Sequence, residues 1–293
     1  MLSLLGLLSP NSPAANRVNG QTVLITGAGQ GIGHDLALLL HERGARVVLV
    51  DIDRHAVDAM AHRLGKRALA VAADVTDRDA MRQAVIRAVD HFGTLDVVVA
   101  NAGVVPRPAT LRTMDGADFD RVLGVNLTGV FNTVRPALDH IVNARGHVVV
   151  VSSCAAFAPG MAGAPYMISK AAVEQLGRAL RVELAPWGAT AGIAYFGIVQ
   201  TEMTRATLDR DELGAELDDL LPWPLSVRIS SERAAEIIAD GIERRAPRTI
   251  APLGWMPYAM LRGLVNVALD RALTADPRVH DLLRRVEQRR VRF

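Results

Sequence analysis

Apolar positions follow two alternating rhythms along most of the chain. Short runs such as TVLIT, RVVLV and HVVVV recur between longer stretches in which apolar residues return every three or four positions. The short runs are apolar throughout, the pattern of parallel strands covered on both faces. A first strand is predicted over Thr22–Thr26. A helix follows, with Ile32, Leu36, Leu39 and Leu40 on one face and Gly44 as its stop. A second strand ends at Asp51, and a helix through Met60 and Leu64 leads to a third strand in RALAVAADV. Thr76 is the expected cap of a helix reaching about His91, and LDVVVA is a fourth strand. A long helix is expected over 118–143, a fifth strand in HVVVVSS, a helix over 166–184 and a sixth strand in TAGIAYF. Ser230 or Ser231 caps a helix to Arg245, and RTIAP forms a short seventh strand. Strand–helix alternation with right-handed crossovers gives an α/β fold. It is a Rossmann-like, doubly wound parallel sheet of about seven strands flanked by helices.

The pattern divides the chain into a tail (1–18), one catalytic domain (19–251) and a C-terminal helical extension (252–293). The connection over 202–229 is 28 residues, long enough to serve as a substrate lid, with Met203, Leu208, Leu217, Leu220, Leu221 and Trp223 as its apolar contacts. In the extension, WMPYAMLRGLVNVALDRAL reads as a helix with a narrow polar stripe at Arg262, Asn266 and Asp270. Its wide apolar remainder is expected to be buried against the domain or another subunit, with peripheral membrane contact as the alternative. The last 17 residues carry Arg278, Arg284, Arg285, Arg289, Arg290 and Arg292, read as a solvated basic helix or an attraction to anionic lipid.

Composition narrows the classes. Of 293 residues half are apolar, and the formal net charge is only +2, which argues against a nucleic-acid partner. The N-terminal MLSLLGLLSP is apolar but lacks a basic n-region, so it is read as a docking tail. No run reaches the roughly 18 apolar residues of a membrane span. The single cysteine, Cys154, precludes an internal disulfide, fits a reducing, cytoplasmic setting, and leaves no cysteine-based metal site; no metal is expected. Cys154 itself reads as a small buried residue.

Three features carry chemistry. The first strand runs into Thr26-Gly-Ala-Gly-Gln-Gly-Ile-Gly33, whose spacing is T-G-x-x-x-G-x-G and not G-x-G-x-x-G. Glycines there let backbone N–H groups and a helix N-terminus approach a pyrophosphate. Asp51 ends the second strand, 18 residues past Gly33, where a carboxylate accepts ribose hydroxyls and repels a 2′-phosphate. This favours NAD(H) over NADP(H), although Arg54 is near in sequence. Tyr166 and Lys170 are four apart on one helix face. Bringing a phenol of pKa near 10 down three units takes about 4 kcal/mol, which a neighbouring ammonium helps to supply. Lys170 is one of two lysines beside 31 arginines, and a guanidinium does not relay protons as an amine does. Ser153 ends the fifth strand, where ligands of open α/β sheets bind, whereas alternation points Ser152 away.

Thr26-Gly27, Gly31-Ile32-Gly33, Asp74-Val75, Asn101-Ala102-Gly103, Asn126, Ser153, Tyr166 and Lys170 stand in the order of the short-chain dehydrogenase/reductase family, which the chain resembles over about Asn19 to Ile250. The resemblance implies that Gly27, Gln30, Gly31 and Ile32 hold the pyrophosphate and ribose, that Asp51 selects NAD, and that Asp74 and Val75 flank the adenine. Asn101, Ala102 and Gly103 would support the cofactor, and Gly197, Val199 and Thr201 the carboxamide. Tyr166 would be the general acid/base, Lys170 its modulator on the nicotinamide ribose, Ser153 the group orienting substrate, and Asn126 the holder of a water linked to Lys170. The family's proline before Gly197 is Phe196 here, which alters the pocket wall. Phe157, Phe196 and Met203, with Ser153 and Tyr166, are the expected substrate contacts; Ala158 and Met161 lie nearby, and Arg107 reads as a solvated loop residue. The implied activity interconverts a hydrophobic secondary alcohol and its ketone, or an aldehyde, in a homodimer or homotetramer. The alternatives are an NADPH-dependent carbonyl reductase and a non-catalytic NAD-binding scaffold or sensor.

Overall fold

The computed structural model describes residues 17–220 and 224–290. Seven parallel strands form one sheet: β1 (Thr22–Thr26), β2 (Arg46–Asp51), β3 (Ala68–Ala72), β4 (Val97–Ala100), β5 (His147–Val151), β6 (Thr190–Phe196) and, at the edge, β9 (Arg248–Ala251). Their order is β3-β2-β1-β4-β5-β6-β9, so the chain reverses direction across the sheet between β1 and β4. Alternate residues of each strand feed two separate cores. Leu24, Val48, Val98 and Val148 pack beneath α3 (Arg78–Phe92) and α7 (Ala164–Leu184). Val23, Ile25, Val47 and Leu49 pack beneath α1 (Gly31–Glu42), α2 (Arg54–Leu64) and α10 (Ser231–Arg244). Both faces are covered, which is why the strands carry no polar alternation.

The helical stretch after β4 begins earlier than expected and is not uniform. Asp115 caps it by accepting from the Ala117 amide. It comprises α4 (Gly116–Leu123), a π turn over Gly124–Thr128, α5 (Gly129–Val134), a 3-10 turn at Arg135–Ala137 and α6 (Leu138–Asn143). Pro136 lacks the amide needed for a continuous helix at the second break. Thr76 is not the cap of α3. Asp77 is, its carboxylate accepting from the amides of Asp79 and Ala80. Thr76 instead donates its own amide to Asp74. Ser230, not Ser231, caps α10, accepting from the Arg233 amide.

The connection from β6 to α10 carries structure of its own. β7 (Ile198–Gln200) pairs in parallel with β8 (Arg228–Ser230), a small second sheet that the sequence pattern did not reveal. Between them lie a short α8 (Glu202–Thr204), a π turn (Arg205–Asp209) and α9 (Glu212–Asp219). The contacts expected of Leu221 and Trp223, and of the Leu217 side chain, lie outside the described residues.

The extension meets the domain through its polar stripe, not through most of its apolar side. It forms α11 (Met256–Ala275) and α12 (Pro277–Arg290). The polar stripe of α11 faces the protein. Arg262 grips the buried Glu174 of α7 in two hydrogen bonds of 2.7 and 2.5 Å. Asn266 donates to the Phe157 carbonyl at 2.9 Å, and the Tyr258 hydroxyl donates to the same carbonyl at 3.0 Å. Much of the apolar remainder faces outward: Met260, Leu261, Leu264 and Val267 are each more than half exposed, whereas Leu269 packs on the core. The basic helix is not simply solvated either. Val279, Leu282 and Val286 of α12 are buried. Arg285 and Arg289 pair with Glu216 and Asp211 of the lid. At the other end of the chain, residues 1–16 lie outside the described residues, as does the side chain of Arg290 and all of Arg292. Val18 is already part of the core, although the expected tail included it.

Candidate active site

A cavity of about 390 Å³ opens at the carboxyl ends of the strands, across the point where the strand order reverses. Its dinucleotide side is built by the chain leaving β1. Gly27 turns with φ +67°, and a Cβ there would meet the Ala102 backbone at 3.0 Å. Gly33 is tighter still, since a Cβ would collide with the Gly27 carbonyl. Asn101 fastens the turn by donating from Nδ2 to the carbonyl oxygens of Thr26 and Gly27. The N-terminus of α1 has no side-chain cap at Gln30, and Gln30, Gly31 and Ile32 line the cavity. Its first-turn N–H groups are therefore left for a ligand, and the glycines leave room for an anion to reach them. These are the features a pyrophosphate requires, and they fit a dinucleotide.

Asp51 stands at the rim. One carboxylate oxygen accepts from the Gly29 amide at 2.8 Å and the other from the Asp53 amide at 3.0 Å, which fixes its orientation. Gln30, Gly31, Ile32, Asp74, Val75, Ala102, Gly103, Gly197, Val199 and Thr201 also line the cavity. The structure thus brings every residue expected on the dinucleotide side to one surface. It adds Ile52, Ala73, Val104 and Val125, which carry no motif signal.

The reacting end gathers Ser153, Tyr166 and Lys170 on the same wall. Lys170 is buried, donates to the Val151 carbonyl at 3.0 Å, and places Nζ 5.6 Å from the Tyr166 ring centroid. Burial lowers its pKa to about 8. Burial also raises the Tyr166 phenol above its ordinary value, against a hydrogen bond from Ser153 that lowers it. Ser153 donates to the Phe196 carbonyl at 3.1 Å and accepts from the Ala155 amide. Ser152 also touches the cavity, but its hydroxyl is committed to the Lys170 carbonyl at 2.7 Å, so it offers no free donor.

Asn126 lies behind the cavity wall, with its Oδ1 and Lys170 Nζ both beside Gly103. Its side chain closes a loop: Oδ1 accepts from the Val104 amide at 2.8 Å, and Nδ2 donates to the Val104 carbonyl and the Ser169 hydroxyl. It thereby seats Gly103 against Lys170, from within the π turn of the helix, a feature that often marks functional sites. Phe157 is a correction. It is buried against Tyr195 and Tyr258, with the Arg262 guanidinium 5.1 Å from its ring centroid, and is not part of the cavity wall. Ala158 and Met161 are likewise absent from that wall, whereas Phe196 and Met203 belong to it. Arg107 is an exposed loop residue whose amide donates to Asp118. Cys154 is buried, and burial pushes its thiol well above the ordinary range, which leaves it inert.

A dinucleotide cradle at the sheet's switch point, leading directly to hydroxyls able to move a proton, defines an oxidoreductase. Comparison with known proteins sharpens this class. The family model described as short chain dehydrogenase matches residues 21–212. (-)-trans-Carveol dehydrogenase of Rhodococcus erythropolis is 37% identical over 187 residues, covering 58% of this chain and 68% of the relative. 2,3-Dihydro-2,3-dihydroxybenzoate dehydrogenase of Bacillus subtilis is 34% identical over 206 residues, covering 69% and 78%. The crystal structure of 3-ketoacyl-(acyl-carrier-protein) reductase from Brucella melitensis complexed with NADH superimposes with a TM-score of 0.71 at 28% identity, over 80% of this chain and 97% of that one. The chain belongs to the short-chain dehydrogenase family and is an NAD(P)-dependent oxidoreductase acting on CH–OH donors.

Proposed function

We propose that the enzyme interconverts a hydrophobic secondary alcohol and its ketone with NAD as the dinucleotide. The observation that carries this reading is the convergence of Ser153 and Tyr166 beside the buried Lys170, on a cavity that Val151, Phe196 and Met203 also line. Gly27, Gly31, Ile32 and the uncapped α1 N-terminus would hold the pyrophosphate, and Asp51 the adenosine ribose. Val199 and Thr201 would meet the carboxamide. When bound, the dinucleotide supplies the hydride acceptor of the alcohol reaction.

The residues of the chain then divide the work. Ser153 redirects its O–H from the Phe196 carbonyl to the substrate oxygen and holds it against Tyr166. Tyr166 takes the alcohol proton, and returns it to the ketone oxygen in the reverse direction. Lys170 as a cation opposes the effect of burial on the phenol. Asn126 keeps the Gly103–Val104 loop against Lys170, a positioning role reached through hydrogen bonds and not through substrate. The relative named as a carveol dehydrogenase supports an apolar substrate. The Asp51 carboxylate, held at the rim by two backbone amides, supports NAD over NADP because a 2′-phosphate would face it. A scaffold without activity would have no chemical need for Ser153, Tyr166 and Lys170 together. Initial rates with NAD⁺ and NADP⁺, offered with secondary alcohols of graded size, test the reading.

The outward side of α11 belongs to the same proposal. Met260, Leu264 and Val267 recur at helical spacing around Gly263, which has no neighbouring atom within 4 Å, so a second helix has room for close approach. We assign this strip to a second copy of the chain. Among the described residues no helix is long and apolar enough to cross a membrane.

A further inference from the structure

The helix α12 is tied to three segments, each of which starts from a residue lining the cavity: Val104, Ser153 and Met203. The first is the loop after β4, which begins at the cavity-lining Val104. Glu287 accepts from the Thr110 hydroxyl at 2.7 Å and pairs with Arg112. The second is the turn between Ser153 and Tyr166. Its Ala162 packs in one apolar cluster with Leu282 and Val286 of α12 and Leu213 of the lid. Ala162 holds a left-handed backbone, φ +55°, which an alanine adopts only when its surroundings impose it. Its carbonyl also accepts from the Ala109 amide at 2.9 Å, which joins the first two segments. The third is the lid. Arg285 pairs with Glu216 on α9, and Arg289 pairs at 2.6 Å with Asp211, the cap of the same helix. Leu220 and Leu283 complete the cluster from the lid and from α12.

We propose that α12 is a latch that sets which substrates enter, with Arg285, Arg289 and Glu287 as its specificity-determining contacts. The proposal rests on the dehydrogenase reading above. Two physical features separate the latch from a mere brace. The apolar cluster is small, with four buried residues, so it opens without exposing a large core. The ion pairs are partly exposed: Arg285 and Glu216 are 40% and 38% accessible at their side chains. Such pairs are individually weak and weaken further with salt, so lid closure answers to ionic strength. The α12 residues that make these contacts are absent from the cavity wall, so the latch acts through the segments it ties down.

The test uses the full chain, its Arg285→Glu variant, and the Glu216→Arg/Arg285→Glu pair in which the charges are exchanged. Hydrogen exchange is followed in residues 107–113 and 211–220, together with NADH affinity by fluorescence and steady-state kinetics on secondary alcohols of increasing size. Arg285→Glu is expected to speed exchange in both segments about ten-fold. It is expected to raise KM for the largest alcohols about three- to five-fold, leaving NADH affinity and kcat on the smallest alcohol within about two-fold. The exchanged pair restores both readouts. Unchanged exchange in Arg285→Glu overturns the latch. Faster exchange with an unchanged KM for large alcohols overturns the specificity role and leaves a brace. If the native chain turns over no alcohol, the dehydrogenase reading and the specificity role fall together, while the exchange arm still decides whether the latch exists.

Discussion

Tyr166 lies between opposing influences. Burial raises its pKa, while the Ser153 hydroxyl beside it lowers it, and the Lys170 Nζ lies 5.6 Å from its ring centroid. Its replacement by phenylalanine keeps the packing and deletes the proton carrier. Tyr166→Phe is expected to lower kcat by about 10²- to 10⁴-fold, while NADH affinity by fluorescence titration changes by less than about three-fold. Retention of most of kcat would contradict the assignment. Asp51 makes a second residue-scale case. Asp51→Ser should cut the preference for NAD⁺ over NADP⁺, as a ratio of kcat/KM, by about ten-fold or more, because the carboxylate that repels the 2′-phosphate is gone. An unchanged ratio would place cofactor choice elsewhere. Tyr166 and Lys170 were legible in the sequence because a spacing of four on a helix already encodes proximity. The hydrogen bonds of Asn126 were not, because they depend on a π turn and on a loop that returns 22 residues away to Val104.

The helices show the same division between local and distant causes. α1, α2 and α7 follow their apolar spacing closely, since each packs on a sheet face that accepts any regular apolar stripe. α11 turns its narrow polar stripe to the domain because Arg262 finds a partner there, Glu174, 88 residues away. No local pattern records such a partner. Arg262→Ala would leave the buried Glu174 carboxylate without its guanidinium. With Arg262 about one-third exposed, the expected loss is about 2 kcal/mol in denaturant unfolding, below that of a fully buried pair. The joint variant Glu174→Leu/Arg262→Met should recover most of it, since no unpaired charge remains. Equal losses in both variants would show that the ion pair does not anchor the helix. The cap of α3 was misplaced by one residue, because Thr76 and Asp77 are both suitable caps and only the geometry selects the carboxylate.

At the scale of the molecule, the order of strands and the place of the cavity follow from the alternation of apolar runs and helices. The small sheet of β7 and β8, three residues to a strand, was too short to carry a period. At the end of the main sheet remote from the cavity, burial and the nearby Arg245 hold the His147 imidazole down at about 4. In the unfolded chain it titrates near 6.5. Between these values the unfolded state binds the extra proton, so stability falls as the pH drops from 6.5 toward 4, by up to about 3 kcal/mol. His147→Gln should flatten that part of the stability curve, and an identical slope in the variant would refute the cause. The apolar side of α11 gives a prediction about assembly: Leu264→Arg should shift the mass in solution by light scattering toward a smaller species. An unchanged mass, or loss of vesicle binding instead, would reject the second copy as its occupant. The reaction itself is tested most directly by initial rates at the nicotinamide absorbance band, with NAD⁺ and NADP⁺ in parallel and secondary alcohols of graded size. NADH formation whose kcat/KM rises with the apolar size of the alcohol is the expected result. Turnover with NADP⁺ alone, or with polar alcohols alone, would contradict it.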